Sequence, residues 1–127
     1  EQGVRVIKDI RNRYDGTQRN PFDEAECGRH YARAMAAWGA VLALTGFHYD
    51  AHAGKFTFRI ASKPVTWFWS TGAAWGTFNQ TPSADAIRCR LIVESGTVRA
   101  HTLQLQRPGG QSVSARFDPT GRAMINL

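Results

Sequence analysis

After Arg33 the chain carries no charge until Asp50, and from Phe56 onward its apolar residues change from helical spacing to alternation. That change of period narrows the fold more than any other feature. A helix that is apolar all the way round must be enclosed by other helices. Alternation instead turns one face of a strand toward a core and the other toward water. The chain therefore reads as α+β, with one or two helices followed by an antiparallel β meander. Residues 1–50 are expected to be helical and 54–127 β-rich.

Val4, Ile7, Ile10 and Tyr14 recur at helical spacing before Asp15-Gly16, so residues 2–14 read as a short helix with a glycine stop. Asn20-Pro21 suits a loop or a helix start. A longer helix then runs to about Thr45, with Gly46 as its stop, and the polar surroundings of His48 and His52 read as loop. Phe56 and Phe58 flank Thr57, while Ile87, Cys89, Leu91 and Val93 alternate mainly with arginine. Glu94-Ser95-Gly96 reads as a hairpin turn, and the slip in phase between Val98/Ala100 and Leu103/Leu105 suggests a bulge near His101. Arg107-Pro108-Gly109-Gly110 and Asp118-Pro119-Thr120-Gly121 mark two further turns.

Composition sets limits on function. With 127 residues, 43% of them hydrophobic, the chain can bury one core. The uncharged stretch 34–49 includes Gly39, Thr45 and Gly46 and falls short of the roughly 20 apolar residues of a membrane helix, so no transmembrane segment is expected. The net charge of +6 comes from 16 basic residues, 13 of them arginine, against 10 acidic ones. The excess is shared evenly between the halves on either side of Lys63, and without a basic block no nucleic-acid partner is expected. Cys27 and Cys89 lie far apart with no CxxC, which predicts reduced thiols and favours a cytosolic setting. The start at Glu1, without a methionine or a leader, suggests a piece of a longer protein.

Residues 19–33 pack three carboxylates, three arginines and a histidine into fifteen positions. Helix capping accounts for part of this. Asn20 or Asp23 can serve as the cap, and Glu26, three residues after Asp23, can complete a capping box. Each acid near the N-terminus contributes about 0.3 to 1 kcal/mol. Capping leaves Arg33 unexplained, because it opens the apolar stretch, where a guanidinium requires a carboxylate or a ligand. On a continuous helix Glu26, His30 and Arg33 share a face, whereas Glu24 points the other way. Glu24 and Arg33 can therefore serve one site only if Glu24 lies in a loop.

The run Arg13-Tyr14-Asp15-Gly16, Arg19-Asn20-Pro21-Phe22-Asp23-Glu24-Ala25-Glu26-Cys27-Gly28, His30-Tyr31-Ala32-Arg33 and on to Trp38 resembles the catalytic region of glycoside hydrolase family 116. That family includes bacterial β-glucosidases and the non-lysosomal glucosylceramidase. Leu44-Thr45-Gly46-Phe47-His48-Tyr49-Asp50, Trp69-Ser70-Thr71-Gly72 and Trp75-Gly76-Thr77-Phe78 are similar to later family segments, so the resemblance covers roughly residues 4–80. Phe22-Asp23 stands where Trp-Asn is common, and Ala73-Ala74 replaces more polar or glycine-rich residues.

The resemblance implies a mainly α parent, an (α/α)6 toroid of which residues 1–127 are the C-terminal part, and hydrolysis of β-glucosides with retention. Glucosylceramide-like lipids and β-xylosides are further candidate substrates. Such chemistry uses one carboxylate as nucleophile and a second carboxyl group as acid/base. The resemblance places both upstream, so no catalytic residue is expected on this chain, and it assigns Glu24 and Arg33 to binding the sugar. A carboxylate accepting from neighbouring hydroxyls and a guanidinium donating in a fixed fork suit that role. No metal or cofactor is expected.

Other candidates have simpler explanations. Trp67, Trp69 and Trp75 offer flat surfaces for a sugar, but Trp67 and Trp69 share a strand face and core packing is the more economical reading. His48 and His52 lack an accompanying acid-histidine signature for metal. Cys27 follows three carboxylates, which oppose a reactive thiolate, and Gly109-Gly110 forms a turn and not a phosphate loop. The rival to the enzyme reading is a carbohydrate-binding or structural β-rich module. A weaker one is a related toroid enzyme acting on α-linked glucans.

Overall fold

The computed structural model describes residues 2–14, 17 and 32–126, with the side chains of residues 10, 11, 14 and 32–37 outside that description. Two compact units result, Glu1–Leu44 and Thr45–Leu127. The layout is α+β, as the change of period predicts. Helix α1 spans Gln2–Arg11 and tightens into a 3-10 turn at Asn12–Tyr14. Helix α2 spans Ala32–Thr45 and ends at Gly46, whose φ of 62° lies in the left-handed region where a glycine stop is favoured. Val4 on α1 and Trp38, Leu42 and Leu44 on α2 are exposed.

The β unit contains eight strands: β1 His48–Asp50, β2 Lys55–Arg59, β3 Val65–Ser70, β4 Ala74–Pro82, β5 Ala86–Gly96, β6 Thr102–Gln106, β7 Ser112–Arg116 and β8 Arg122–Asn126. They form two four-stranded sheets, one ordered β1-β2-β6-β7 and the other β3-β4-β5-β8. Every pairing is antiparallel except β2–β6, where Phe56 aligns with Leu103 and Phe58 with Leu105. Parallel neighbours need a long crossover, and here β3, β4 and β5 provide it while building the second sheet.

The alternation seen in the sequence fills the space between the sheets. Phe56, Phe58, Leu103 and Leu105 of the first sheet pack with Trp69, Phe78, Ile87, Cys89, Leu91, Ala123 and Ile125 of the second. Phe58 stacks on Phe78 at 3.9 Å and 7°, and Phe56 meets Trp69 edge to face at 5.1 Å and 79°. The edge-to-face pair suits the ring quadrupole, whereas the close, nearly parallel Phe58–Phe78 stack contributes through buried area and dispersion. At roughly 1.5–3 kcal/mol per buried large apolar side chain, this layer is the main source of stability.

Three local expectations change. His48–Asp50 form β1, paired with residues 55–57, so the turn is confined to residues 51–54. Asp50 Oδ1 caps that turn by accepting from the Ala53 amide at 2.9 Å. Glu94-Ser95-Gly96 is not a hairpin turn but the end of β5, which continues until the chain leaves for the other sheet. The slip in phase near His101 is that change of sheet. Val98 and Ala100 pack on the core from the connecting segment, and β6 restarts alternation at Thr102 after the His101 and Thr102 amides both bond the Gly54 carbonyl.

The bulge lies elsewhere, between Trp75 and Gly76, where Trp75 pairs with Ser95 and Gly76 with Val93. A Cβ on Gly76 would overlap the Ile92 carbonyl oxygen and press on the Trp69 ring, so glycine is what permits the close approach.

Candidate functional site

Glu24 lies outside the described residues, as do Asp23, Glu26, Cys27 and His30. Arg33 is in the first turn of α2, with its side chain outside the description. The structure therefore places the backbone of one member of the expected sugar-binding pair and neither side chain.

The three tryptophans separate. Trp69 is 1% exposed in the core, and Trp67, half-buried on the same face, packs against Phe58 at 6.2 Å. Trp75 faces outward and is 47% exposed beside Phe68, 40% exposed, with ring centroids 6.3 Å apart. Phe68 was not singled out in the sequence, although its offset from Trp67 and Trp69 within one strand marks it as pointing the other way. The buried Trp69 Nε1 and Asn79 Oδ1 have no hydrogen-bond partner, at a typical cost of about 1–3 kcal/mol each.

The outer face of the second sheet also gathers arginines. A groove of about 650 Å³ is lined by Arg88 and Arg90 of β5, Arg122 of β8 and Arg116 at the end of β7, with Asn79 and Asp118 among its other walls. Arg90 stands directly opposite Arg122 in the β5–β8 register, and Arg88 opposite Met124. The sequence carried part of this signal in the alternation of Arg88 and Arg90 with Ile87, Cys89 and Leu91. The pairing with β8, more than thirty residues away, supplies the rest.

Asp118 is committed to its own turn. Its Oδ1 accepts from the Thr120 amide at 2.8 Å, the Thr120 hydroxyl at 2.7 Å and the Arg122 amide at 2.9 Å. The bond from the Arg122 amide foremost, then that from the Thr120 hydroxyl, holds the carboxyl below its ordinary value. Cys89, between Arg88 and Arg90 in sequence, turns its side chain the other way into the core; it is a free buried thiol whose burial pushes its pKa up to about 12, so it remains protonated and non-nucleophilic at neutral pH. Among the described residues no three His, Cys, Asp or Glu side chains cluster as metal ligands, and no helix is long and apolar enough to cross a membrane.

Compared with known proteins, the chain matches no family model, no curated protein and no solved structure.

Proposed function

We propose that this chain is the C-terminal portion of a retaining β-glycosidase acting on β-glucosides, and that Glu24 and Arg33 hold the sugar at the cleavage subsite. The observation that carries this reading is the residue pattern from Arg19 to Phe47, with its resemblance to glycoside hydrolase family 116. The exposed apolar side chains of the helices support it. Val4, Trp38, Leu42 and Leu44 offer the kind of surface that an enclosing ring of helices covers. In this reading the nucleophile and the acid/base lie in upstream segments, and the present residues orient a neutral sugar by hydrogen bonds that tighten in the transition state.

A test uses an aryl β-glucoside with the complete enzyme and with the 127-residue chain alone. The complete enzyme is expected to release β-glucose as the first product, seen by NMR before mutarotation, and the chain alone to be inactive. Turnover by the chain alone, or α-glucose as first product, would contradict the proposal. A second reading, a carbohydrate-binding module without catalysis, draws on the exposed Phe68–Trp75 pair. It predicts that the chain alone binds a β-glucan and that Trp75→Ala abolishes the binding.

A further inference from the structure

Two arginines directly opposite one another on neighbouring strands are an unusual choice. Like charges in that position destabilise a sheet, and a Glu or Thr at either place would remove the repulsion. Arg90 and Arg122 nevertheless occupy it, with Arg88 two residues along the same face of β5 and Arg116 on the groove wall. One carboxylate, Asp118, lines the groove against these four guanidiniums, and three hydrogen bonds already tie its Oδ1 to the turn. Four guanidiniums against one carboxylate leave the lining with an excess of three positive charges.

We propose that this groove binds a small ligand bearing phosphate-type oxyanions, held in guanidinium forks from Arg88, Arg90 and Arg122. Arginine presents paired donors that match two oxygens of one phosphate or carboxylate, and its charge persists at all working pH values. The paired strands fix where the Arg88, Arg90 and Arg122 side chains leave the backbone, and their planar forks lose less rotamer freedom per hydrogen bond formed than a lysine would. A groove of about 650 Å³ is of small-molecule size. It lies wholly within the β unit, so the inference is independent of the sugar-binding reading of Glu24 and Arg33. The ligand neutralises the Arg90–Arg122 opposition, and its binding stabilises the chain by mass action.

The probe is inorganic pyrophosphate, titrated calorimetrically into the 127-residue chain at low ionic strength. Saturable binding at one site is expected, weakening with added salt. The double variant Arg90→Gln/Arg122→Gln is expected to lose at least about tenfold in affinity, or about 1.4 kcal/mol. Arg99→Gln, outside the groove, should bind as the unaltered chain does. Without ligand, the double variant should melt no lower than the unaltered chain, since a repulsion has been relieved.

Absence of saturable binding, equal losses in the Arg99 variant, or full affinity in the double variant would overturn the proposal. So would a clear fall in the melting temperature of the unliganded double variant, which would make the arginines part of the scaffold. A single-stranded oligonucleotide that outcompetes pyrophosphate through the same arginines would also overturn it, in favour of an extended polyanion.

Discussion

Gln80, buried on β4, donates from Nε2 to the carbonyl oxygen of Arg59 at 2.8 Å, so a side chain of one sheet satisfies the backbone of the other. Its Oε1 accepts from the Ala61 amide at 3.2 Å. The pair of bonds ties the end of β2 and the segment leading to β3 onto β4, the Ala61 bond fully buried and the Arg59 bond partly so.

Gln80→Leu should therefore cost more than its change in volume suggests. The Arg59 carbonyl and the Ala61 amide lose their side-chain partner, and each buried unsatisfied group costs about 1–3 kcal/mol. A loss of about 2–4 kcal/mol is expected, read as a lower urea midpoint at unchanged slope. A variant within experimental error of the unaltered chain would show that the clamp contributes nothing.

The bulge at Gly76 makes a sharper steric prediction. Gly76→Ala brings a methyl group against the Ile92 carbonyl and the Trp69 ring, at a cost of about 1–3 kcal/mol in thermal or urea unfolding. Gly39→Ala on α2 meets nothing within 4 Å and should stabilise the helix by about 0.5–1 kcal/mol. If the two substitutions have equal effects, the close approach at the bulge is not what requires glycine.

Asp118 gives a pH dependence of defined sign. Hydrogen bonds to the carboxylate hold its folded pKa below the ordinary 3.8, so its contribution is fully present above that value. It is lost as pH falls from there through the lower folded pKa. Asp118→Asn should flatten the acid limb of the stability curve in that window and leave the slope at neutral pH unchanged. Asp50, lowered chiefly by its bond from the Ala53 amide, acts with the same sign, so the double variant should flatten the limb further.

The elements legible in the sequence were those set by local pattern. Gly46 ends α2, Phe56 and Phe58 face inward, and Ile87, Cys89 and Leu91 fill one face of β5. Alternation cannot reveal which sheet a strand joins, because an inward residue is apolar in either. For that reason the run from Glu94 to Ala100 looked like a hairpin when it is a passage between sheets, and the parallel β2–β6 pair left no trace. The arginine groove is not legible in the sequence for a related cause. Counting charge along the chain spreads Arg88, Arg90, Arg116 and Arg122 among neutral neighbours, and only the register of β5 with β8 sets two of them face to face. Trp67 and Trp69 were legible as core from their shared phase, whereas the exposed pairing of Trp75 with Phe68 depends on the register of β3 with β4. Glu24 and Arg33 rest on sequence resemblance, since their side chains lie outside the described residues.

We propose that the stretch from Arg19 to Phe47 holds the sugar and does not cut it. The most direct measurement is kcat/KM for an aryl β-glucoside in the complete enzyme carrying Glu24→Gln or Glu26→Gln, each with and without added azide. A loss of at least about a hundredfold is expected for Glu24→Gln, corresponding to about 2.7 kcal/mol of transition-state binding, with no rescue by azide. A much smaller change is expected for Glu26→Gln. Equal effects of the two substitutions, or azide rescue of Glu24→Gln, would contradict it, an α-glycosyl azide by making Glu24 the nucleophile and a β-glycosyl azide by making it the acid/base.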